Sequence, residues 1–285
     1  MDDSLGSRTG PRRRAWRLLR SVLIGYLVVV LVLTFLETSL LFPAIRYPAG
    51  DWGAAARLGF EDIRFESADG TRLHGWLAVH EDPRGVLLFC HGNAGNVTHR
   101  AEVMEVLRRR LGMTVFVFDY RGYGRSEGRP SEAGVVADAR AARDWLAQRM
   151  SVPAKDLVLM GRSMGGGIAT RLAAEEGAAA LILENTFTSA ADVGAASFPF
   201  FPVRLLMRNR FETLAHIGSF TGPLFISHGR ADEIVPFAHG ERLFQAATTV
   251  RKRFHPLTGG HNDWPAGDYY DALAEFLESS LEKSE

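Results

Sequence analysis

Cysteine and lysine are the two residue types that this sequence lacks most. The 285 residues contain one cysteine, Cys90, and three lysines against 30 arginines. A single cysteine excludes a disulfide within the chain and a cysteine-rich zinc cluster, and no cysteine near the N-terminus offers a site for lipid attachment. Because Cys90 lies in an apolar run, we interpret it as a small core residue rather than a reactive thiol.

The chain also lacks an excess of charge of either sign. Its 33 basic and 33 acidic residues give a formal net charge of zero, which offers no argument for a nucleic-acid partner. The hydrophobic content of 46% and the charged content of 23% are ordinary for a globular protein. The length is sufficient for one large α/β domain or two small ones.

The N-terminal region differs from the rest of the chain. Residues 1–14 are polar and rich in arginine, and we predict that they are flexible, whereas residues 21–36 contain no charge at all. As a helix, those 16 residues cover about 24 Å, slightly less than the ~30 Å of a hydrocarbon core, and Trp16 and Phe42 are suited to its two interfaces. We therefore predict a transmembrane signal anchor over residues 15–42.

Two other interpretations of this region are a buried helix of a soluble protein and a cleaved signal peptide. A cleavage site requires small residues, and residues 36–43 contain no good Ala-x-Ala pattern. Six arginines precede residue 21. Because positive charge is retained on the cytoplasmic side, we expect a single-pass protein of the cell membrane with a cytoplasmic N-terminus and a catalytic domain on the outer side, periplasmic or extracellular.

Residues 43–59 are predicted to be a linker, and residues 60–285 a single domain. There, short apolar runs alternate with helical patterns, which favours a mostly parallel buried sheet with helices on both faces. Strands are predicted at 63–67, 72–79, 86–90, 114–118, 156–160, 179–183, 223–227 and 250–256, and helices at 100–111, 131–149, 168–176, 236–247 and 268–281. Residues 188–220 interrupt this alternation and are predicted to form a cap segment.

The stretch that organises the domain is GRSMG at 161–165, which follows an apolar strand and precedes a helix. In that context the pattern indicates a nucleophile elbow, a sharp turn that presents a serine above the sheet. Side chains at Gly161 and Gly165 would clash with the neighbouring strand and helix, so we predict that Ser163 is a catalytic nucleophile.

A serine hydroxyl needs a base to take its proton and an acid to orient that base. In folds of this kind the order along the chain is serine, acid, histidine, each at the carboxyl end of a strand. Asp232 follows the strand at 223–227 and His261 follows the strand at 250–256, so we assign them these two roles. Glu184 and Asp263 remain alternative acids.

Acyl transfer also requires donors for the developing oxyanion. The backbone N–H of Met164, directly after the nucleophile, is one candidate. The N–H of Asn93 in the glycine-rich turn HGNAGN at 91–96 is the other, with Ala94 as the alternative.

Together these motifs, with DYRGYGRS at 119–126 and HGRAD at 228–232, resemble the α/β-hydrolase superfamily over about residues 60–283. More narrowly, they resemble its small serine hydrolases with an N-terminal membrane anchor. The resemblance implies an α/β-hydrolase fold with a mostly parallel eight-stranded sheet, a short insertion after the sixth strand, and hydrolysis of esters, thioesters or amides.

The predicted function is therefore that of a membrane-anchored serine hydrolase of acyl esters or thioesters, which uses no metal or cofactor. Its substrate would be a small molecule or a lipid carrying an acyl group. A peptidase, a lipid acylhydrolase and a non-catalytic binding module on the same fold remain alternatives, and the oligomeric state is left open.

An acyl chain needs an apolar wall above the nucleophile. Five aromatic residues are candidates for substrate binding: Phe187, Phe198, Phe200, Phe201 and Phe211. Two other roles are open for the cluster around 198–202, namely packing of the cap onto the domain and insertion into the bilayer beside the anchor.

Overall fold

The computed structural model describes residues 11–281, so residues 1–10 of the predicted flexible N-terminus lie outside it. The helices of the described part are α1 (Pro11–Leu41), α2 (Ala54–Leu58), α3 (Ala101–Leu111), α4 (Glu132–Met150), α5 (Met164–Glu176), α6 (Ala190–Ser197), α7 (Val203–Leu206), α8 (Thr213–Ile217), α9 (Ala238–Ala246) and α10 (Tyr269–Leu281). The strands are β1 (Glu61–Glu66), β2 (Arg72–Ala78), β3 (Gly85–Cys90), β4 (Met113–Asp119), β5 (Val158–Arg162), β6 (Ala180–Glu184), β7 (Leu224–Gly229) and β8 (Lys252–Leu257).

All eight strands form one sheet in the order β1-β2-β4-β3-β5-β6-β7-β8. The first three strands in that order pair antiparallel, and every later pair is parallel. The central strands are apolar throughout because helices cover both faces of the sheet and form two buried clusters. The predicted α/β-hydrolase architecture is thereby confirmed, and Cys90 is a fully buried core residue whose pKa burial raises to about 12.

Helix α1 is longer than the predicted anchor. It begins at Pro11, so residues 11–14, which we predicted to be flexible, are helical. Proline suits the first turn of a helix and arginine is a good helix former, which explains this earlier start. The stretch Arg12–Leu41 has a mean hydropathy of 2.4 and is long and apolar enough to cross a membrane, a property that signal sequences share.

The segment predicted to be a linker, residues 43–59, and the last residue of the predicted anchor, Phe42, are packed onto the domain. Phe42 is buried against Phe211, with ring centroids 6.1 Å apart, so it is not available for the membrane interface for which it was predicted. Ala44 then forms a bridge with Gly95, and the chain continues into α2. Because Phe42 is apolar and follows α1 directly, its burial holds the end of α1 against the domain.

The predicted cap segment contains the three short helices α6, α7 and α8. It follows β6, and the Arg208–Asn209 backbone within it contacts α1. The Glu37 carboxylate accepts hydrogen bonds from the Asn209 N–H at 2.8 Å and from the Arg208 N–H at 3.0 Å. Nearer the N-terminus of α1, Tyr26 stacks on Phe201 and its hydroxyl donates to the Phe200 carbonyl oxygen.

Candidate active site

Ser163 lies at the turn between β5 and α5. Its backbone has φ 52° and ψ −121°, a conformation that side-chain-bearing residues rarely adopt. The Ser163 N–H donates to the Glu184 carbonyl oxygen at 2.9 Å, and the Thr186 hydroxyl donates to the Ser163 carbonyl oxygen at 2.7 Å. These two bonds to the end of β6 hold the strained turn in place.

The glycines on either side of Ser163 allow the close approach that the turn requires. A Cβ atom at Gly161 would lie 2.3 Å from the Gly165 carbonyl oxygen, in the helix that follows. A Cβ atom at Gly165 would lie 1.9 Å from the Cys90 carbonyl oxygen, at the end of β3. Both distances are shorter than any real contact, so neither position accepts a side chain without movement of the backbone.

The structure brings Ser163, His261 and Asp232 together, although they come from three separate loops. His261 Nε2 is 3.0 Å from Ser163 Oγ, and His261 Nδ1 is 2.7 Å from Asp232 Oδ2. This geometry allows the imidazole to take a proton from the serine while the carboxylate fixes its orientation.

The surroundings of Asp232 keep it ionised. Burial by itself would raise the pKa of the carboxyl group, but hydrogen bonds from the His228 ring, the His261 ring and the Val235 N–H hold that pKa well below its usual range. The Asp232 Oδ1 atom also accepts from the N–H groups of Val235 and Ile234 at 2.7 and 3.0 Å. A fixed carboxylate of this kind stabilises a positively charged imidazole beside it.

The two alternative acids contact other groups. Glu184 is buried, and its carboxylate accepts from the Tyr269 hydroxyl and lies 3.7 Å from an Arg162 nitrogen. Burial raises the pKa of Glu184, although the Arg162 charge and the Tyr269 hydroxyl act in the opposite direction. Asp263 accepts from the Gly260 N–H at 2.8 Å, which closes a local turn beside His261.

The turn that carries Asn93 is held by groups that sequence reasoning did not single out. The Tyr120 hydroxyl donates to the His91 carbonyl oxygen and the Tyr123 hydroxyl donates to the Asn93 carbonyl oxygen, both at 2.9 Å. Burial lowers the pKa of His91 to about 3, so its ring is neutral and donates to the Gly92 carbonyl oxygen. Both tyrosines belong to the motif at 119–126, and this motif was the one sequence feature from which their role could have been inferred.

The two predicted oxyanion donors belong to the turn after β3 and to the start of α5. Within residues 11–281 the Asn93 N–H makes no hydrogen bond to protein, and Asn93 lines the same cavity as Ser163. Met164 is the first residue of α5, and its side chain is buried. The helix start leaves backbone N–H groups of that turn without partners inside the helix.

Two further side chains position the histidine loop, and both were missed from the sequence. Arg162 donates to the carbonyl oxygens of His261 and Asp263 at 2.7 and 2.9 Å, and its guanidinium lies over the Trp264 ring. Asn185 Nδ2 donates to the His261 carbonyl oxygen at 3.2 Å. Arg162 follows Gly161 and Asn185 follows Glu184, two residues that the sequence did highlight. The roles of Arg162 and Asn185 were missed because a side chain that bonds to a backbone carbonyl oxygen forms no recognisable sequence motif.

A cavity of about 700 Å³ opens above Ser163. One wall comes from the cap and another from α1, which contributes six residues: Val30, Leu33, Thr34, Glu37, Leu40 and Leu41. Its size and mostly apolar lining suit a small-molecule or acyl ligand. The contribution of α1 was not expected from the sequence.

The five predicted aromatic residues separate into two groups. Phe187, Phe198 and Phe201 line the cavity. Phe200 and Phe211 do not, contrary to prediction: Phe200 is 84% exposed on the outer side of the cap, and Phe211 is buried in the core against Phe42. The reason is that residues 198–201 form a turn, closed by the hydrogen bond from the Phe201 N–H to the Phe198 carbonyl oxygen, and Phe200 lies at its exposed tip.

Comparison with known proteins agrees with this architecture. The family model for the α/β hydrolase fold matches residues 85–205. A Pyrococcus furiosus esterase superposes with a TM-score of 0.67 over 84% of this chain and 97% of that protein, at 20% sequence identity, a likeness that establishes the fold.

Sequence relatives are more similar. An uncharacterized protein of Mycobacterium tuberculosis strain H37Rv is 40% identical over 222 residues, which cover 76% of this chain and 78% of the relative. The α/β-hydrolase domain-containing protein WAV2 of Arabidopsis thaliana is 34% identical over 278 residues, which cover 88% of this chain and 90% of WAV2. With this extent of similarity, and with the fold described above, the chain belongs to the α/β-hydrolase superfamily, in the group of relatives that includes WAV2.

Proposed function

We propose that this protein is a membrane-anchored serine hydrolase that cleaves acyl esters or thioesters through an acyl-enzyme intermediate. The observation that carries the proposal is the continuous hydrogen-bonded series from Ser163 Oγ through the His261 ring to Asp232 Oδ2, with distances of 3.0 and 2.7 Å. A non-catalytic binding module has no need for this alignment or for a strained serine at its centre.

In the proposed reaction, Ser163 Oγ attacks the acyl carbonyl carbon while His261 Nε2 takes the hydroxyl proton. The carbonyl oxygen becomes an oxyanion, for which the N–H groups of Asn93 and Met164 are the proposed donors. His261 then gives its proton to the departing alcohol or thiol, which leaves the acyl group on Ser163. Water, deprotonated by His261, attacks this ester and releases the carboxylic acid, and the proton returns to Ser163.

A fluorophosphonate probe, which reacts with an activated serine hydroxyl, tests the proposed mechanism. We expect it to label the full-length protein and not Ser163→Ala, and we expect hydrolysis of p-nitrophenyl acetate to fall by several orders of magnitude in Ser163→Ala and in His261→Ala. Asp263→Asn is the matched control, because that carboxylate lies beside the histidine without bonding to its ring. Equal labelling of wild type and Ser163→Ala would reject a serine nucleophile, and an unlabelled wild type would favour the binding module.

The anchor is part of the same proposal. The cap contacts α1 through Glu37 and Tyr26, and α1 lines the cavity, so cleavage after α1 would remove one wall of the site. This supports a retained anchor over a cleaved signal peptide. We propose that the N-terminus is cytoplasmic and that the catalytic domain lies on the outer side of the cell membrane.

Two measurements test the anchor. The intact mass of the membrane-extracted protein should include α1, and the protein should resist extraction by alkaline carbonate. Protease added to the outer face of the membrane should digest the catalytic domain. A mass that begins after residue 41 would support the signal peptide, and protection from external protease would contradict the proposed orientation.

A further inference from the structure

We infer that the substrate is an acyl lipid of the bilayer, which enters the site sideways, with its chain in the cleft between α1 and the cap. The inference rests on the proposed function and names its substrate class. The α1–cap cleft is formed by Val30, Leu33 and Leu40 of α1 and by Phe198, Phe201 and Leu206 of the cap. Ser163 lies at the inner end of the same cavity.

The position of the cap along α1 is the first argument. The cap contacts α1 at Glu37, through Asn209, and again at Tyr26, through Phe201. These two α1 residues are 11 positions apart, which is about 16 Å along a helix. The cap therefore follows α1 over about half the thickness of a ~30 Å hydrocarbon core, which is one leaflet.

The length of uncharged helix is the second argument. On the N-terminal side of Tyr26, only residues 21–25 separate it from the charged residue Arg20. These five uncharged residues form about 8 Å of helix. That length does not cross a bilayer, so α1 spans only if the part beside the cap also lies in lipid. An α1 that spans the membrane therefore brings the cap into the outer leaflet with it.

The outer surface of the cap is suited to that environment. Phe200 is 84% exposed, Leu205 is 81% exposed and Phe198, at the rim of the cavity, is 46% exposed, in a segment of eight residues. Exposed apolar side chains of this size in a cluster mark a surface for lipid or another apolar partner. The exposed apolar face of α1 adjoins this cluster, which favours lipid over another apolar partner, because the hydrocarbon of the bilayer would then cover both surfaces.

The route from this surface to the serine is short and apolar. Leu41 ends α1, and its carbonyl oxygen accepts from Asn93 Nδ2 at 3.1 Å, so the helix ends at the turn proposed to hold the oxyanion. The lining residues of α1 recur at the spacing of one helix face, and all but Leu40 are partly buried. Leu40 is 59% exposed, and Leu31, which does not line the cavity, is 56% exposed. An ester at the membrane interface thus reaches Ser163 while its chain remains in contact with apolar side chains.

The first test measures where the substrate comes from. Full-length protein is reconstituted in phosphatidylcholine vesicles, and p-nitrophenyl palmitate is placed either in the same vesicles or, in equal total amount, in protein-free vesicles that are then mixed with them. We expect the initial rate to be at least tenfold higher when protein and ester share a bilayer, because lateral entry needs the ester in that membrane. Equal initial rates in the two arrangements would show that the ester is drawn from water and would overturn the inference.

The second test fills the cleft. Leu33→Trp should lower kcat/KM for p-nitrophenyl palmitate at least tenfold more than it lowers kcat/KM for p-nitrophenyl acetate. The matched control is Leu31→Trp, the same change outside the cleft, which should leave the ratio of the two substrates within twofold of wild type. Equal losses on both esters in Leu33→Trp, or no loss on either, would overturn the inference.

Two controls separate this inference from the proposed function. If Leu33→Trp does not fold, as judged by circular dichroism, Val30→Trp takes its place in the same comparison. Hydrolysis of both esters is also measured with Ser163→Ala. Hydrolysis of acetate that depends on Ser163, without dependence of palmitate hydrolysis on the bilayer, rejects only the lipid inference. Hydrolysis that is independent of Ser163 rejects the proposed function itself.

Discussion

Replacement of Arg162 by methionine tests how the histidine loop is held. The Arg162 guanidinium donates to the carbonyl oxygens of His261 and Asp263, and it lies 3.7 Å from Glu184 Oε2. The Arg162 and Glu184 side chains are 9% and 2% exposed, so the pair is buried. Methionine keeps much of the volume and removes both the charge and the donors.

The expected loss of stability follows from these contacts. A hydrogen bond from a charged group contributes about 1.5–3 kcal/mol, and removal of one partner of a buried ion pair costs about 3–5 kcal/mol. Because these contributions overlap in one network, we expect the free energy of unfolding to fall by about 3–5 kcal/mol. For a domain of this size that corresponds to a decrease in Tm of about 6–20 °C. A displaced imidazole should also lower kcat by about 100-fold.

The stability of Arg162→Met should depend on pH in a specific direction. Burial already raises the pKa of Glu184 above its ordinary value, and the Arg162 charge opposes that rise. Without Arg162 the pKa of Glu184 in the folded protein rises further. A carboxyl group whose pKa is raised by folding stabilises the fold below its unfolded pKa, and this contribution is lost as the pH rises through the folded pKa. Arg162→Met should therefore regain stability, relative to wild type, when the pH is lowered from 7 towards 5.

The double variant Arg162→Met/Glu184→Gln separates the two effects. Glutamine removes the buried carboxyl group, so the extra pH dependence of Arg162→Met between pH 5 and pH 7 should be absent from thermal melts of the double variant. The low kcat should persist, because the His261 carbonyl oxygen still lacks its donor. The reasoning is refuted if Arg162→Met melts within 2 °C of wild type at pH 7, or if Glu184→Gln restores kcat.

Three further predictions concern the acid, the elbow and the cavity wall. Asp232→Asn should lower kcat by about 10³–10⁴-fold, with KM little changed, because the imidazole loses its orienting carboxylate; kinetics equal to wild type would reject Asp232 as the acid. Gly165→Ala should fail to give soluble folded protein, because its Cβ atom would lie 1.9 Å from a β3 carbonyl oxygen, whereas Gly92→Ala, whose Cβ atom would lie 3.5 Å from its nearest neighbour, should fold. Circular dichroism distinguishes the two, and a folded Gly165→Ala would contradict the packing of the elbow. Phe201→Ala should raise KM for longer acyl esters more than for acetyl esters, at ~0.8 kcal/mol for each methylene no longer buried, whereas Phe200→Ala on the outer surface should change KM equally for both. Equal effects of the two variants on esters of every length would show that the cluster is structural.

The parts of the site that the sequence predicted are those with a local physical signature. A strained turn needs glycine on both sides of Ser163, and the chain order of serine, acid and histidine follows from where parallel strands end. The sheet was predictable because strands buried on both faces are apolar throughout. These features depend on residues close together in sequence, or on the ends of strands that a pattern locates.

The parts that it did not predict depend on contacts between distant residues. Arg162 and Asn185 both act on the His261 backbone, which is more than 75 positions away in sequence, and a carbonyl oxygen has no residue type to recognise. The five phenylalanines looked equivalent because a cap without a strand period does not indicate which side chains point inward. Only the structure distinguishes Phe201, in the cavity wall, from Phe200, on the surface.

Glu37 connects the anchor with the site in a way that neither feature explains alone. A carboxylate beside an apolar run is ordinarily taken as the end of a membrane span, because an ion without partners is costly in lipid. Here the carboxylate accepts four hydrogen bonds from Arg208 and Asn209 at 2.8 to 3.3 Å and lines the cavity. Its partners belong to the cap, so the polar group that limits the span also fixes the cap against α1. α1 therefore supplies the side of the cavity that the cap leaves open, a role that goes beyond that of the proposed membrane anchor.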